Sequence, residues 1–389
     1  MTGKIKKYSS QQIKWQIRAA KAFFFIGGFG AATWAPLVPM LRERLQLTDD
    51  VLGMLLLCVG IGSLVTMPFS GAAAGRWGCR KVLVIAAVLY GAILSALSLT
   101  GSIWLLVPLI LSLGAAMGAV DVVVNVFAVN VEKNSGKRVM SGMHAFWSIG
   151  GFFGAGIFSI WLNMGLDHFE SVLIADVVIL ALVMTYFRYV VSEKEEGARQ
   201  GSMLVMPRGI IVFIGIVSFI SFLEEGAMMD WGGVLLTTMK GFDMSMAGVG
   251  FTIFSAAMLL MRLAGDLAVN RLGGRVVTVG GGLTACCGFL LLVFAPINIL
   301  LYAGFFLIGI GSANIVPVFF SMMGRQKEMP VSQAVAAVST MGYMGILAGP
   351  AAIGFVADAA GLYVSFLMLA GLVFVQAMLS YYVYGRVLQ

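Results

Sequence analysis

The sequence predicts an all-α integral membrane protein whose twelve transmembrane helices form two six-helix bundles. Three observations support this prediction. Hydrophobic residues make up 60% of the 389 residues and charged residues only 11%, against roughly 25% charged residues in soluble domains. The chain divides into twelve apolar runs. A polar segment separates the first six runs from the last six.

The apolar runs have the length of membrane helices, since about 20 apolar residues cross the hydrocarbon core of a bilayer. They cover residues 20–40, 51–70, 82–99, 103–130, 139–164, 171–187, 209–231, 245–269, 276–294, 297–323, 333–359 and 362–384. The basic start of the chain is not followed by a short apolar core with a small-residue cleavage site. We therefore expect the first run to stay in the protein as a helix.

The basic residues predict the orientation. All Lys and Arg residues except Arg42, Arg44, Lys240 and Arg262 precede the first run, follow the last, or flank the loops on the same side. Cytoplasmic loops carry the excess of Lys and Arg, so both termini are expected in the cytoplasm. The net charge of +7 is explained by this bias. Because the charges are dispersed over short loops, we expect no nucleic-acid partner.

The sequence contains no pattern for a metal, cofactor or catalytic site. There is no C-x-x-C, H-E-x-x-H or P-loop pattern, and no evident pair of nucleophile and base. We therefore expect no metal, no cofactor and no enzymatic activity. The four cysteines are too few and too scattered for a disulfide framework: Cys58, Cys79, Cys286 and Cys287.

The two halves of the chain are related by a shift of 195 residues, which places "SGAAAGRWGCR" on "GDLAVNRLGGR". Three glycines of the first half coincide with glycines of the second, namely Gly114 with Gly309, Gly150 with Gly345 and Gly154 with Gly349. We predict an N-terminal bundle at 1–190, a cytoplasmic central loop at 191–208 and a C-terminal bundle at 209–389. Internal duplication of this kind is common in secondary transporters.

The segment "GAAAGRWGCRK" after the second run resembles the G-x-x-x-D-R-x-G-R-R/K loop of the major facilitator superfamily, and its shifted copy follows the eighth run. This resemblance implies a transporter that alternates access by rocking two bundles about a central site. It also implies that Arg76 and Arg271 belong to the cytoplasmic gate. The aspartate of the family pattern is Gly75 here and Asn270 in the second copy, so the gate needs a different acidic partner.

Three further segments, "GAVDVVVNV", "MHAFWSIGGFFGAG" and "EEGAMMDW", resemble the fucose permease-like branch of this superfamily and its uncharacterised bacterial inner-membrane relatives. In that branch, an acidic residue in the fourth helix is associated with proton-coupled sugar uptake. The resemblance implies a bacterial inner-membrane location and a sugar-like solute.

Asp121 is the candidate proton-coupling residue. It lies eleven residues before Glu132, which places it roughly 16 Å deep at 1.5 Å per residue. A charge at such depth costs about 2.5 to 3.5 kcal/mol, so an exchangeable proton is the function we favour over a neutral structural acid. Asn125 follows at i+4 on the same face and is a candidate for solute binding. His144 is either a second proton-coupling group or a polar tie between helices.

The second half supplies Glu225 as a candidate solute ligand, while the adjacent Glu224 points about 100° away. Trp34 and Trp147 offer rings on which a solute can stack, or else pack between helices. Arg262 and Asp266 are spaced at i+4 and are candidates for the missing gate pair, with a purely local ion pair as the alternative.

Together these residues predict a monomeric symporter in the bilayer that moves protons with a small polar organic solute. A drug or metabolite:proton antiporter is the first alternative, because 25 Met and 27 Phe residues would suit an adaptable apolar cavity. A membrane receptor or scaffold that has lost transport is the second alternative.

Overall fold

A computed structural model describes residues 8–191, 206–243, 246 and 248–387. This part of the chain is helical and contains no strand. Twelve helices are long and apolar enough to cross a membrane, which confirms the predicted all-α membrane fold. We label them α1 Ser10–Arg44, α2 Val51–Trp77, α3 Cys79–Leu99, α4 Ile103–Ser135, α5 Met140–Asn163, α6 His168–Tyr189, α7 Ile210–Met239, α8 Val249–Leu272, α9 Gly274–Phe294, α10 Asn298–Met323, α11 Val331–Ala360 and α12 Leu362–Arg386.

Local capping explains why α1 begins ten residues before the predicted apolar run. Ser9 and Gln12 form a reciprocal capping box, in which each side chain accepts a hydrogen bond from the backbone amide of the other. This pair satisfies two amides that would otherwise lack partners at the start of the helix. The first turns of α1 are therefore polar, and an apolar-run criterion misses them. Pro36 then separates α1 into two helical segments.

The turns that join α2 to α3 and α8 to α9 have the same backbone conformation. Gly78 has φ +87° and ψ 148°, and Gly273 has φ +82° and ψ 151°. Each glycine amide donates to the carbonyl four residues earlier, on Ala74 and Val269 respectively. Side chains rarely adopt this conformation, so glycine is required at both turns.

Close helix contacts repeat with the same shift. In the first half, the Cα of Gly114 on α4 lies against the carbonyl of Val59 on α2. In the second half, Gly309 on α10 lies against the carbonyl of Phe254 on α8. A side chain at either glycine would overlap the facing backbone, so the glycines permit the close approach that is typical of small residues between membrane helices.

The chain forms two compact units. The first contains residues up to Val139, Met143–Met206 and Met329–Ala337. The second contains Met140–Gly142, Pro207–Glu328 and Val338–Gln389. Each unit has its own apolar interior; that of the second unit includes the buried Phe254, Phe289, Phe305 and Phe366. The bundle boundaries at 1–190 and 209–389 stay predictions. Most of the predicted loop at 191–208 lies outside the described residues.

Candidate functional site

The first unit contains a buried polar pair on α4. Asp121 is 9% exposed and Asn125 is 2% exposed. The amide nitrogen of Asn125 donates to the backbone carbonyl of Asp121 at 2.9 Å and lies 3.4 Å from its carboxyl Oδ1. Among the described residues, no donor reaches the buried Oδ1 of Asn125. The i+4 spacing therefore places both groups on one face, where the pair offers an exchangeable proton and an amide acceptor.

Two other predicted residues of the first unit pack against α1. The ring of His144 lies 4.7 Å from that of Phe24, with an angle of 44° between the planes. The ring of Trp147 lies against Gly27 and its backbone carbonyl lies against Gly28, so a side chain at either glycine would overlap that tryptophan residue. Both side chains are half-buried. Trp34, also half-buried, ends the first segment of α1.

The second unit joins two of the predicted residues by charge. Arg262 on α8 is 9% exposed, and its Nη2 lies 3.8 Å from Oε2 of Glu225 on α7. The Nε of Arg262 also donates to the carbonyl of Ala313 at 3.2 Å. The sequence predicts a solute ligand at Glu225 and a gate residue at Arg262. The packing of α7 on α8 brings the two predicted functions to one place.

Glu224 lies beside this charge pair but in different surroundings. Its side chain is 0% exposed, and no described residue donates a hydrogen bond to either carboxyl oxygen. The Ser312 hydroxyl lies next to the carboxyl, yet it donates to the Ile308 carbonyl at 2.8 Å. Since a hydroxyl has one proton to donate, the Ser312 proton that is directed to Ile308 is not directed to Glu224 in this conformation.

Asp266, a predicted gate residue, binds the start of α5 within the second unit. Its two carboxyl oxygens accept hydrogen bonds from the amides of Ser141 and Gly142, each at 3.0 Å. A carboxylate at a helix N-terminus satisfies unpaired amides and complements the helix dipole. Arg76 and Arg271, the other predicted gate residues, lie in the last turns of α2 and α8.

A second buried carboxyl of the first unit could not be explained from the sequence. Asp176 on α6 is 8% exposed, accepts a short hydrogen bond from the Ser95 hydroxyl on α3 and packs against Gly91 of the same helix. The contact joins residues 81 positions apart. The only available signal in the sequence was an acidic residue within an apolar run.

The first unit also carries a groove between α2, α3 and α4. It has a volume of about 580 Å³ and is lined mainly by apolar side chains, with Thr66, Lys81 and Ser112 as polar exceptions. Ile85 and Leu89 on its wall are 50% and 51% exposed. None of the predicted site residues lines it.

Among the described residues, no cluster of His, Cys, Asp and Glu side chains is arranged to hold a metal ion. Cys58, Cys79, Cys286 and Cys287 are free thiols.

Comparison with known proteins identifies the family. The chain matches the family model described as Major Facilitator Superfamily over residues 22–224 and 209–387. An uncharacterized MFS-type transporter of Yersinia pestis is 41% identical over 366 residues, which cover 94% of this chain and 95% of that protein. The match therefore extends over both halves of the chain.

Two solved structures are similar to the fold. The human organic anion transporter MFSD10 has a TM-score of 0.78 at 15% identity and covers 95% of this chain and 99% of its own. A variant of the Escherichia coli fucose:proton symporter has a TM-score of 0.75 at 14% identity, with coverage of 94% and 98%. At such low identity the similarity is one of fold alone.

Proposed function

Because this chain belongs to the major facilitator superfamily, a family of membrane transporters, we propose that it is a proton-coupled symporter of a small polar organic solute. Such a protein alternates access to its solute between the two sides of the membrane. The proton gradient then drives solute uptake. We place the protein in a bacterial inner membrane, with both termini in the cytoplasm.

The buried Asp121 carries the proposal. It lies near the middle of α4 and is 9% exposed. An ionised carboxyl at membrane depth costs about 2.5 to 3.5 kcal/mol. The residue therefore favours its neutral form when closed off, and it ionises when the site opens to water on the side with the lower proton concentration. That cycle is what proton coupling requires.

Solute binding is the proposed function of Asn125 and Glu225. The buried acceptor oxygen of Asn125, which no described residue satisfies, suits a solute hydroxyl, because unpaired buried acceptors are unfavourable. The side chain of Glu225 is 36% exposed and can accept from a second hydroxyl. We assign the half-buried rings of Trp34 and Trp147 to stacking on the solute, and His144 to relaying protons.

The gate is the proposed function of Asp266, Arg262, Arg76 and Arg271. Asp266 is the clearest member, because its carboxylate holds two amides at the start of α5. This contact would supply the acidic partner that Gly75 and Asn270 cannot. Rocking of the helices would break and remake it during each cycle.

The test is a comparison of variants in proteoliposomes. A panel of sugars, polyols and organic acids is first screened by thermal shift, since a ligand of the folded state raises its apparent stability. For the solute found, Asp121→Asn preserves size and hydrogen bonding but removes the exchangeable proton. We expect it to abolish accumulation driven by an imposed pH difference and to leave solute counterflow intact.

Asn125→Ala and Glu225→Gln serve as matched variants, for which we expect weaker solute binding in the thermal-shift assay. Continued accumulation by Asp121→Asn would exclude Asp121 as the coupling group. Solute efflux against proton entry in the wild-type protein would replace symport with antiport. Binding without counterflow would indicate a receptor.

A further inference from the structure

We propose that Glu224 is a second proton-binding site of this protein, loaded in the conformation described here and unloaded during the transport cycle. The exchange step rests on the proposed transport function. The loaded state does not, because it follows from the surroundings of the side chain alone. The sequence alone indicates no function for Glu224.

Glu224 lies deep within a membrane span. Glu224 falls at the middle of the span α7, Ile210–Met239, where the distance to water is greatest for a membrane helix. Its side chain has no exposed surface. An ionised carboxylate at such a place must be compensated by a cation or by several hydrogen-bond donors.

Hydrogen-bond donors that would compensate an ionised Glu224 are lacking among the described residues. No donor among the described residues reaches either oxygen of Glu224. The nearby Ser312 hydroxyl gives its proton to the Ile308 carbonyl. In the neutral form, however, Glu224 itself carries a proton that it can donate to the oxygen of Ser312. The surroundings of Glu224 thus do not compensate the charge of a carboxylate.

The charged groups on the helices next to α7 also bear on Glu224. On α8, Arg262 is paired with the neighbouring Glu225 at 3.8 Å, and Asp266 adds a second negative charge. Two contacts to neighbouring residues of α7 are uncharged: the ring of Tyr343 on α11 lies edge-on to Phe222, and the Gln376 amide of α12 donates to the hydroxyl of Ser221.

The two adjacent glutamates therefore differ in their surroundings and in the function that we propose for each. Glu225 is paired with Arg262 at 3.8 Å and its side chain is 36% exposed, whereas no described residue donates to either oxygen of the buried Glu224. A second ionised carboxyl next to it would leave excess negative charge in a closed environment, so Glu224 keeps its proton. Neighbouring carboxyls in unlike surroundings commonly divide in this way between an acid and a carboxylate.

Loss of the ion pair between Glu225 and Arg262 would allow Glu224 to release its proton. If a solute or a helix movement separates Glu225 from Arg262, the guanidinium becomes available to the next carboxyl along α7. Glu224 can then ionise, and its proton passes to the water that enters as α7 and α8 move apart. The site would thus add one proton per cycle to the one assigned to Asp121.

Infrared spectroscopy tests the loaded state without any transport assay. At pH 7, where an ordinary glutamate with a pKa of about 4.3 is ionised, purified wild-type protein in lipid should show a protonated-carboxyl band. Glu224→Gln should lower the intensity of that band, to which Asp121 also contributes, whereas Glu43→Gln, a change at an exposed glutamate, should leave the band unchanged. Ser312→Ala should shift the band, because the acid loses its acceptor; this variant serves as the test if Glu224→Gln does not fold.

Proton counting tests the exchange. In weakly buffered solution with a pH dye, addition of the solute found by thermal shift should change the number of bound protons in the wild-type protein. We expect the change to be one proton smaller in Glu224→Gln. An absent band in the wild-type protein would overturn the loaded state. An unchanged proton count would make Glu224 a structural acid, even if Asp121 couples transport as proposed.

Discussion

At the scale of single residues, the buried carboxyls of the first unit differ in what holds them. Asp121 contacts a residue of its own helix, Asn125, one turn away. Asp176 on α6 is held by Ser95 on α3. Helical spacing reveals the first kind of contact in the sequence, since residues at i and i+4 share a face. The second kind depends on which helices pack together, so spacing could not predict it.

The contact between Ser95 and Asp176 should contribute to stability. Ser95→Ala removes the hydroxyl that donates to the buried carboxyl, and no donor among the described residues reaches the other oxygen of that group. Leaving a buried polar group unsatisfied costs about 1–3 kcal/mol. We therefore expect a lower thermal unfolding midpoint for purified Ser95→Ala.

The control is Thr284→Ala, which removes a hydroxyl that donates only to a carbonyl of its own helix, on Gly280. That carbonyl keeps its helical hydrogen bond, so the midpoint should change little. Equal midpoints for the two variants would show that the hydrogen bond between α3 and α6 contributes nothing.

At the scale of elements, the two glycine turns should respond alike to substitution. Gly78 and Gly273 share a backbone conformation that is nearly restricted to glycine. An alanine there adds strain of about 1–3 kcal/mol. We expect Gly78→Ala and Gly273→Ala to lower the unfolding midpoint by similar amounts. Thermal unfolding followed by intrinsic fluorescence measures both.

Gly280→Ala is the matched control, because this glycine lies inside α9 with no atom near its added Cβ, and alanine favours a helix. Its midpoint should be unchanged or higher. If only one of the two alanine variants had a lower midpoint, the two turns would differ in their contribution to stability despite their shared conformation.

The same elements show how far sequence reasoning extends. The existence and number of the spans were predictable, because the apolar length required by a bilayer is fixed. The start of α1 was not, since its first turns depend on the capping box of Ser9 and Gln12. Likewise, the isolation of Glu224 results from how α7, α10 and α12 pack. A list of apolar runs holds no information on that packing.

At the scale of the whole molecule, the distribution of basic residues predicts the orientation in the membrane. The loop between α1 and α2 and the loop between α4 and α5 are separated by three spans, α2 to α4, so they lie on opposite sides of the membrane. Gln46 in the first loop and Lys137 in the second are exposed. Because Lys and Arg concentrate on the side of Lys137, the positive-inside rule predicts that this residue lies in the cytoplasm and Gln46 outside.

Labelling of single cysteines in intact cells measures this directly. In a variant whose four free thiols are replaced by serine, we expect Gln46→Cys to react with a membrane-impermeant maleimide. Lys137→Cys should react only after the cells are permeabilised. Labelling of Lys137→Cys from outside would show the opposite orientation. Arg76 and Arg271, at the ends of α2 and α8, are separated from Lys137 by even numbers of spans, so that result would also place the proposed gate on the outer side. The direction of solute movement would not change, because a symporter carries its solute in the direction in which the proton gradient drives protons.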